Sequence, residues 1–379
     1  MPTPAKTLMF HIGDHKTGST SIQDAFALKN VTLKGAKVYY PAKLAHNYLG
    51  GAFRDYGKPA KSPARKKAIE AFKGLARKIR KSKADFCLVS AEAIEGIDPG
   101  VFHEVVTNHF ADAADEIRVI CYTRPHAARI LSSFSERVKN GNPLAINGTN
   151  PLAINGTLET FFTHNCQQER FHYLPRYQAW RDHFGDRFLL RPMIRDQLYQ
   201  GSVVADLVHH GFGHSDFQVT ETDRSNQSLC LEDLMRLKVL QAHLADHRHK
   251  FSHAFGWEIS RLINTLPPLE TRTKLHLHKS LAYEIHATYL DDARAIDREF
   301  LGGKPLLETE LTTALATPHK DAQSFSPADW LDPTEIRTLN LLATLIANMT
   351  QHDQSKWGTF WRTKNLDAIQ QARATPPTG

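Results

Sequence analysis

Five short runs of apolar residues, most of them next to a helical pattern, restrict this chain more than any other feature. The first, Thr7 to Ile12, is rich in strand formers and stops at Gly13, before a polar loop and a helical pattern from Ser21. The second is Val38 to Tyr40, stopped by Pro41, and the third is Asp85 to Ser90 (DFCLVS). Ile117 to Thr123 (IRVICYT) is the fourth, followed by Pro125 and a helix through Val138. Phe188 to Arg191 (FLLR) is the fifth, preceded by a helical pattern around Tyr177 to Phe184. Strands that are apolar along their whole length, separated by helices, belong to a parallel sheet covered on both faces. An α/β fold is therefore expected, with ligands bound at the carboxyl ends of the strands.

After about Leu229 strand signals become scarce, and helical patterns occupy Leu231 to Leu244, Trp257 to Leu266, Ser280 to Phe300 and Pro333 to Met349. The expected organisation is a sheet core over 1–228 and a helical C-terminal part over 229–379 packed on it, with Thr375 to Gly379 as a frayed tail. The octapeptide NPLAINGT occurs at Asn142 to Thr149 and again at Asn150 to Thr157. Two copies of so short a unit, rich in turn-forming steps, describe a duplicated surface loop rather than a repeat architecture.

Composition narrows the class. Charged residues make up 23% and apolar residues 41% of the chain, which excludes disorder and coiled coil as descriptions of the whole. A membrane span needs about 20 apolar residues, and the most apolar stretch, Leu339 to Met349, is short and broken by Asn and Thr. The N-terminal segment lacks the layout of a signal peptide. Cys87, Cys121, Cys166 and Cys230 lie far apart without a C-x-x-C pair, so a reducing cytoplasm is expected rather than disulfides or zinc. The Asn-x-Ser/Thr triplets at Asn30, Asn147 and Asn155 then carry no glycosylation. Between Lys58 and Lys83 eleven Lys or Arg face a single acid, Glu70, a net of +10, so the rest of the chain sums to −3. Ile69, Phe72, Ala76 and Ile79 recur there at helical spacing, which describes a helix with one buried stripe and a basic outer face. Such a face is either solvated or docks an anionic substrate or a phospholipid surface.

The loop Gly13-Asp14-His15-Lys16-Thr17-Gly18-Ser19-Thr20 joins a strand to a helix, where backbone N–H groups and the helix dipole make an anion cradle. It follows the Walker A pattern up to Gly18, then has Ser19 where that pattern requires Lys, while a lysine stands three residues earlier at Lys16. That mismatch counts against ATP or GTP. The run H-I-G-x-x-K-T-G-[ST]-T-[ST], here His11 to Ser21, instead resembles the sulfotransferases that use 3′-phosphoadenosine 5′-phosphosulfate (PAPS). A second motif, TRPHAARILSSF, is similar to that family's 3′-phosphate site, with Arg124 after the strand, Arg129 at the middle position and Ser132 on the following helix. Pro125 falls one place early, and Phe134 stands where Tyr is common.

Further pieces of the resemblance are FFTHN, YQAWRDHFGDRFLLRP, the stretch around GSVVADLVHHGF, and RSNQSL, so it covers roughly Leu8 to Leu234. For Arg224, Asn226 and Ser228 the residues themselves favour a helix N-cap, with Ser228 capping the Leu229 helix.

The resemblance implies a P-loop-like fold and sulfuryl transfer from PAPS to a hydroxyl or amine acceptor, such as a glycan, a lipid head group or a small metabolite. It implies that Gly13, Lys16, Thr17, Gly18, Ser19, Thr20 and Ser21 hold the 5′-phosphosulfate and that Arg124 and Ser132 hold the 3′-phosphate. No metal is needed in this family, no H-E-x-x-H or Cys/His ligand set occurs, and no nucleic-acid partner is expected.

Transfer of this kind proceeds by positioning and charge stabilisation, for which Lys16 is the expected cation. A base for the acceptor proton is also required. Glu92, in Ser90-Ala91-Glu92 after the third strand, is the first candidate, with Ala91 and Ala93 leaving room for a substrate. His15 and His46 are its rivals, and an N-terminal helix carboxylate is the plainer reading of Glu92. Two other functions fit parts of the pattern: a P-loop kinase or nucleotidase with a degenerate loop, and a non-catalytic module that binds nucleotides or polyanions.

Overall fold

The computed structural model describes residues 5–141, 156–220, 228–244, 249–316, 318–350, 362–363, 365–367 and 369–371. In chain order the elements are β1 (Thr7–His11), α1 (Ser19–Ala27), β2 (Val31–Leu33), β3 (Val38–Tyr39), α2 (Tyr48–Tyr56), α3 (Pro63–Lys81), β4 (Phe86–Ser90), α4 (Pro99–His109) and β5 (Glu116–Thr123). There follow α5 (His126–Lys139), α6 (Leu158–Gln167), α7 (Leu174–Phe184), β6 (Phe188–Pro192), α8 (Val203–Asp206) and β7 (Phe217–Val219). The remainder is helical: α9 (Leu231–Ala242), α10 (His249–Ile263), α11 (Lys279–Phe300), α12 (Leu306–Ala316) and α13 (Pro333–Thr350).

The fold is α/β. Five parallel strands form one sheet in the order β3-β4-β1-β5-β6. All five residues of β1 are buried, as a strand covered on both faces requires. Met9, Leu88, Ile120 and Tyr122 turn to one face and pack with Ile22 and Phe26 of α1 and with Val203 and Val204 of α8. Phe10 turns the other way, edge-on to Phe102 and Phe110 at 5.2 and 5.4 Å. Phe53 of α2, Phe72 of α3 and Trp180 of α7 extend that second layer.

β1 sits between β4 and β5, with His11 opposite both Ser90 and Ile120. Two further backbone bonds, Ala91 N to His11 O and Ile12 N to Ile120 O, each 3.0 Å, carry the ladder past the strand ends. The loops after β1, β4 and β5 are thereby neighbours at the carboxyl edge, where the strand order reverses and open α/β sheets bind ligands.

All five expected strands form, with small shifts: the second stops at Tyr39, and the first helix begins at Ser19 instead of Ser21. β2 and β7, three residues each, pair antiparallel in a separate ribbon, and three residues are too few to display a period. Helix α3 buries Ala68, Phe72, Leu75, Ala76 and Ile79, while Ile69 is half-buried, so the stripe is rotated slightly from the expected one. Pro63 starts it, and Lys78, Arg80 and Lys81 in its last turn answer the helix dipole.

The chain divides into two compact units: Met1–Pro125 with His172–Asp223 and Asp291–Glu308, and His126–Phe171 with Arg224–Leu290 and Thr309–Gly379. This division does not follow a single break at 228/229, because segments on each side of that point belong to both units. In the first unit, Asp292 accepts from the amides of Tyr173 and Leu174 at 2.9 Å each and so caps α7. Asp297 does the same for α12 through Leu307 and Glu308 at 2.9 and 3.0 Å.

In the second unit α5 packs against α9 and α10, and a Cβ on Gly256 would stand 1.9 Å from the Lys139 carbonyl oxygen. Only glycine allows that approach. The isolated bridge between His278 and His319 is the single piece of strand-like pairing among the described residues of this unit. The duplicated NPLAINGT segment, Arg224, Asn226 and the 375–379 tail lie outside the described residues, save for Gly156 and Thr157, the latter capping α6 through Thr160 N.

No helix among the described residues is long and apolar enough to cross a membrane. All four cysteines are unpaired.

Candidate functional site

The β1–α1 loop has a backbone that few sequences accept. Gly13, Lys16 and Gly18 have φ of 23°, 69° and 80°. A non-glycine residue in this region costs on the order of 1–3 kcal/mol and persists only where its surroundings fix it. At Lys16 several groups do so. Thr17 Oγ1 donates to Asp14 O at 2.6 Å, and Arg124 Nη1 donates to Lys16 O at 3.0 Å. Gly18 is the N-cap of α1, and a Cβ there would lie 2.9 Å from Val203 Cγ1 as well as being strained. The first recorded helical bond of α1 is Ile22 N to Gly18 O. By helix geometry the amides of Ser19, Thr20 and Ser21 therefore have no acceptor inside α1 and present a partial positive charge. Ser19 is buried, and its Oγ has no hydrogen-bond partner in the protein.

A buried ion pair that the sequence did not announce anchors this loop. The Asp14 carboxylate, 2% exposed, accepts from Arg176 Nη2 of α7 at 2.7 Å and from the Tyr177 hydroxyl at 2.9 Å. Glu95, after β4, lies 3.5 Å from Arg176 Nη1 and accepts from the His15 amide at 3.1 Å. It also pairs with His15 Nδ1. Burial works against the charge on Arg176, and Asp14 foremost among its neighbours raises its pKa above the usual arginine value. Asp14 and Arg176 are 162 positions apart, so no local pattern links them.

Of the expected residues, the structure brings together Gly13 to Ser21, Glu92, His15 and Arg124 at one sheet edge of the first unit. Lys16 is half-exposed and Thr20 exposed. Tyr173 OH donates to Arg124 O at 2.9 Å and steadies the turn after β5. Ser132, half-buried, is the seventh residue of α5 and belongs to the second unit, as does the fully buried Arg129. Phe134, at the position where Tyr is common, is a core residue edge-on to Phe161 and Phe325.

Glu92 opens a short 3₁₀ turn, Glu92–Ile94, and is half-buried. The room expected beside it is not there: Ala91 is fully buried, and a Cβ on Gly50 of α2 would lie 2.6 Å from Ala93 Cβ, so α2 packs directly on Ala93. His46 is removed as a base. Its side chain is 0% exposed, its Nδ1 accepts from Ser90 N at 3.2 Å, and its ring stands edge-on to Tyr40 at 4.9 Å. Ser228 does not cap a helix at Leu229: α9 begins at Leu231 with Cys230 as N-cap, and Cys230 Sγ contacts Asp233 Oδ2 at 3.2 Å.

Beneath the loop, His11 Nδ1 lies 2.8 Å from Ser90 Oγ, and Gln23 Nε2 donates to the same Ser90 Oγ at 3.3 Å. Burial lowers the pKa of His11 from 6.5 to about 3, and burial is the first cause lowering His46 to about 4. Unfolded, both imidazoles titrate near 6.5. As pH falls below that value the unfolded chain takes up protons that the folded chain refuses, so stability is lost on acidification. At about pH 5 each histidine is expected to subtract about 2 kcal/mol relative to neutral pH. Urea unfolding at the two pH values checks this, and equal stabilities would contradict it.

The basic segment is an exposed face. Lys66, Lys67, Arg77, Lys78 and Lys81 point to solvent, Lys73 lies 3.6 Å from Glu70, and Arg80 pairs with Asp112. Among the described residues no group of three or more His, Cys, Asp or Glu side chains is arranged to hold a metal. A scan of the chain against protein-family models finds no match, and comparisons with curated proteins and with solved structures find none either.

Proposed function

We propose that this protein is a PAPS-dependent sulfotransferase, moving a sulfuryl group to a hydroxyl or amine of a glycan, a lipid head group or a small metabolite. One observation carries the reading: the left-handed, lysine-bearing loop after β1 and the arginine after β5 meet, with Arg124 Nη1 3.0 Å from Lys16 O. A nucleotide phosphorylated at both ends requires two anion sites close together at one edge. The residues fit such a donor. The loop offers amides, the unpartnered Ser19 hydroxyl and the Lys16 ammonium to the phosphosulfate, and the planar fork of a guanidinium can meet two oxygens of a phosphate. The second hydroxyl that the sequence pattern assigns to the 3′-phosphate, Ser132, is carried by α5.

In the reaction the acceptor oxygen or nitrogen forms a bond to sulfur while the bond from sulfur to the 5′-phosphate oxygen breaks, leaving 3′,5′-ADP. The transition state is loose and in line. Lys16 neutralises the charge that develops on the departing phosphate. Glu92, or His15 backed by Glu95, takes the acceptor proton. Four unpaired cysteines suit the cytoplasm as the working compartment.

Release of 3′,5′-ADP from PAPS in the presence of an acceptor screen tests the activity. For the site, Arg124→Ala is expected to weaken 3′,5′-ADP by about 2–3 kcal/mol through loss of a charge-assisted pair. It should also abolish most of the preference for 3′,5′-ADP over 5′-AMP. Preserved discrimination would move the 3′-phosphate site elsewhere.

A further inference from the structure

His11, the last residue of β1, has no part in the chemistry just described, yet it is 0% exposed and lies under the loop. Its protonation state follows from its neighbours. Gln23 Nε2 can only donate, and it donates to Ser90 Oγ. A hydroxyl can accept twice, so this bond alone does not fix the Ser90 proton; His11 Nδ1, 2.8 Å away, is the acceptor within its reach, which favours Ser90 donating to His11. The proton of the neutral ring is then on Nε2, and burial keeps the ring neutral. Nε2 is itself buried without a partner in the protein, a costly condition for a donor.

Its aim is given by Gly13. A Cβ on Gly13 would stand 3.5 Å from His11 Nε2 and 2.7 Å from Ser19 Oγ, which is also buried and unpartnered. Two donors from different elements, one at a strand end and one in the first turn of α1, thus lie on the same side of Gly13, close against the loop backbone.

We infer that His11 Nε2–H and Ser19 Oγ–H form a neutral donor pair for one oxygen of the phosphate or sulfate group held in the loop. The inference rests on the anion-binding reading above and extends it to a residue within the sheet. Because His11 binds as a neutral donor, its contribution is independent of pH between about 5.5 and 8.5, unlike that of a histidine acting as a cation.

The test uses the full chain labelled with ¹⁵N-histidine, with the His11 ring signal identified by its loss in His11→Gln. The expected result is an Nε2–H tautomer that does not titrate over that range and shifts when 3′,5′-ADP is added. Ser19→Ala, a small change that leaves the core intact, should weaken 3′,5′-ADP roughly tenfold, as loss of one hydrogen bond does. If calorimetry shows wild-type protein binding 3′,5′-ADP while the His11 signal stays fixed and Ser19→Ala binds as tightly, the pair faces only trapped water and the inference is overturned. Inorganic sulfate is the second probe. A His11 shift with sulfate in a protein that ignores 3′,5′-ADP would uphold the donor pair and overturn the nucleotide reading instead, whereas no response to either anion overturns both.

Discussion

Glu92→Gln is expected to lower sulfuryl transfer by roughly 10² to 10⁴ while leaving 3′,5′-ADP affinity unchanged, since glutamine preserves shape and hydrogen bonding but accepts no proton. Glu92 stands two residues beyond β4, which pairs with β1, so it opens onto the same edge as Lys16. If Glu92 serves only the short turn it begins, the variant keeps its activity. The turn has only three residues, and the amide of Glu95 bonds to the Glu92 carbonyl, not to its carboxylate. The melting temperature would then change little. Full activity in Glu92→Gln would pass the proton to His15, whose Nδ1 is paired with Glu95, and His15→Gln would then show the loss instead.

Lys16→Ala is expected to reduce turnover by roughly 10² or more and to change 3′,5′-ADP affinity only a few fold. The charge matters most where negative charge develops on the leaving phosphate, and the product nucleotide no longer carries the group being transferred. Alanine is the informative substitution here. Lys16 has φ of 69°, and alanine retains the Cβ responsible for the strain, so the loop backbone is not relaxed as it would be by glycine. Wild-type turnover in folded Lys16→Ala would exclude this lysine from the transfer step.

The sheet was legible because its strands are continuous apolar runs closed by Gly13, Pro41 and Pro125, signals that act within a few residues. The pieces that escaped depend on distance or brevity. β2 and β7 are too short to show a period and are brought together only by the fold. Division of the chain into units was equally hidden, since Asp292 caps α7, a helix of the same unit that lies far earlier in sequence.

At the site, the loop and Arg124 could be read from local motifs, whereas the Asp14–Arg176 pair could not. An aspartate in a Gly-rich loop and an arginine in the first turn of a distant helix carry no mark of one another. His46 misled because burial, which decides its chemistry, is not a local property. The space expected beside Glu92 was closed by Gly50, a glycine whose absence of side chain admits α2 and not a substrate.

Calorimetric titration of the wild-type protein with 3′,5′-ADP, ADP and ATP is the most direct measurement of the central claim. With Arg124 joined to the Lys16 loop and Ser19 in place of a Walker A lysine, 3′,5′-ADP should bind at least tenfold more tightly than ADP or ATP. Each tenfold step corresponds to about 1.4 kcal/mol, within what one guanidinium–phosphate pair supplies. Tight binding of ATP with no measurable binding of 3′,5′-ADP would contradict the account.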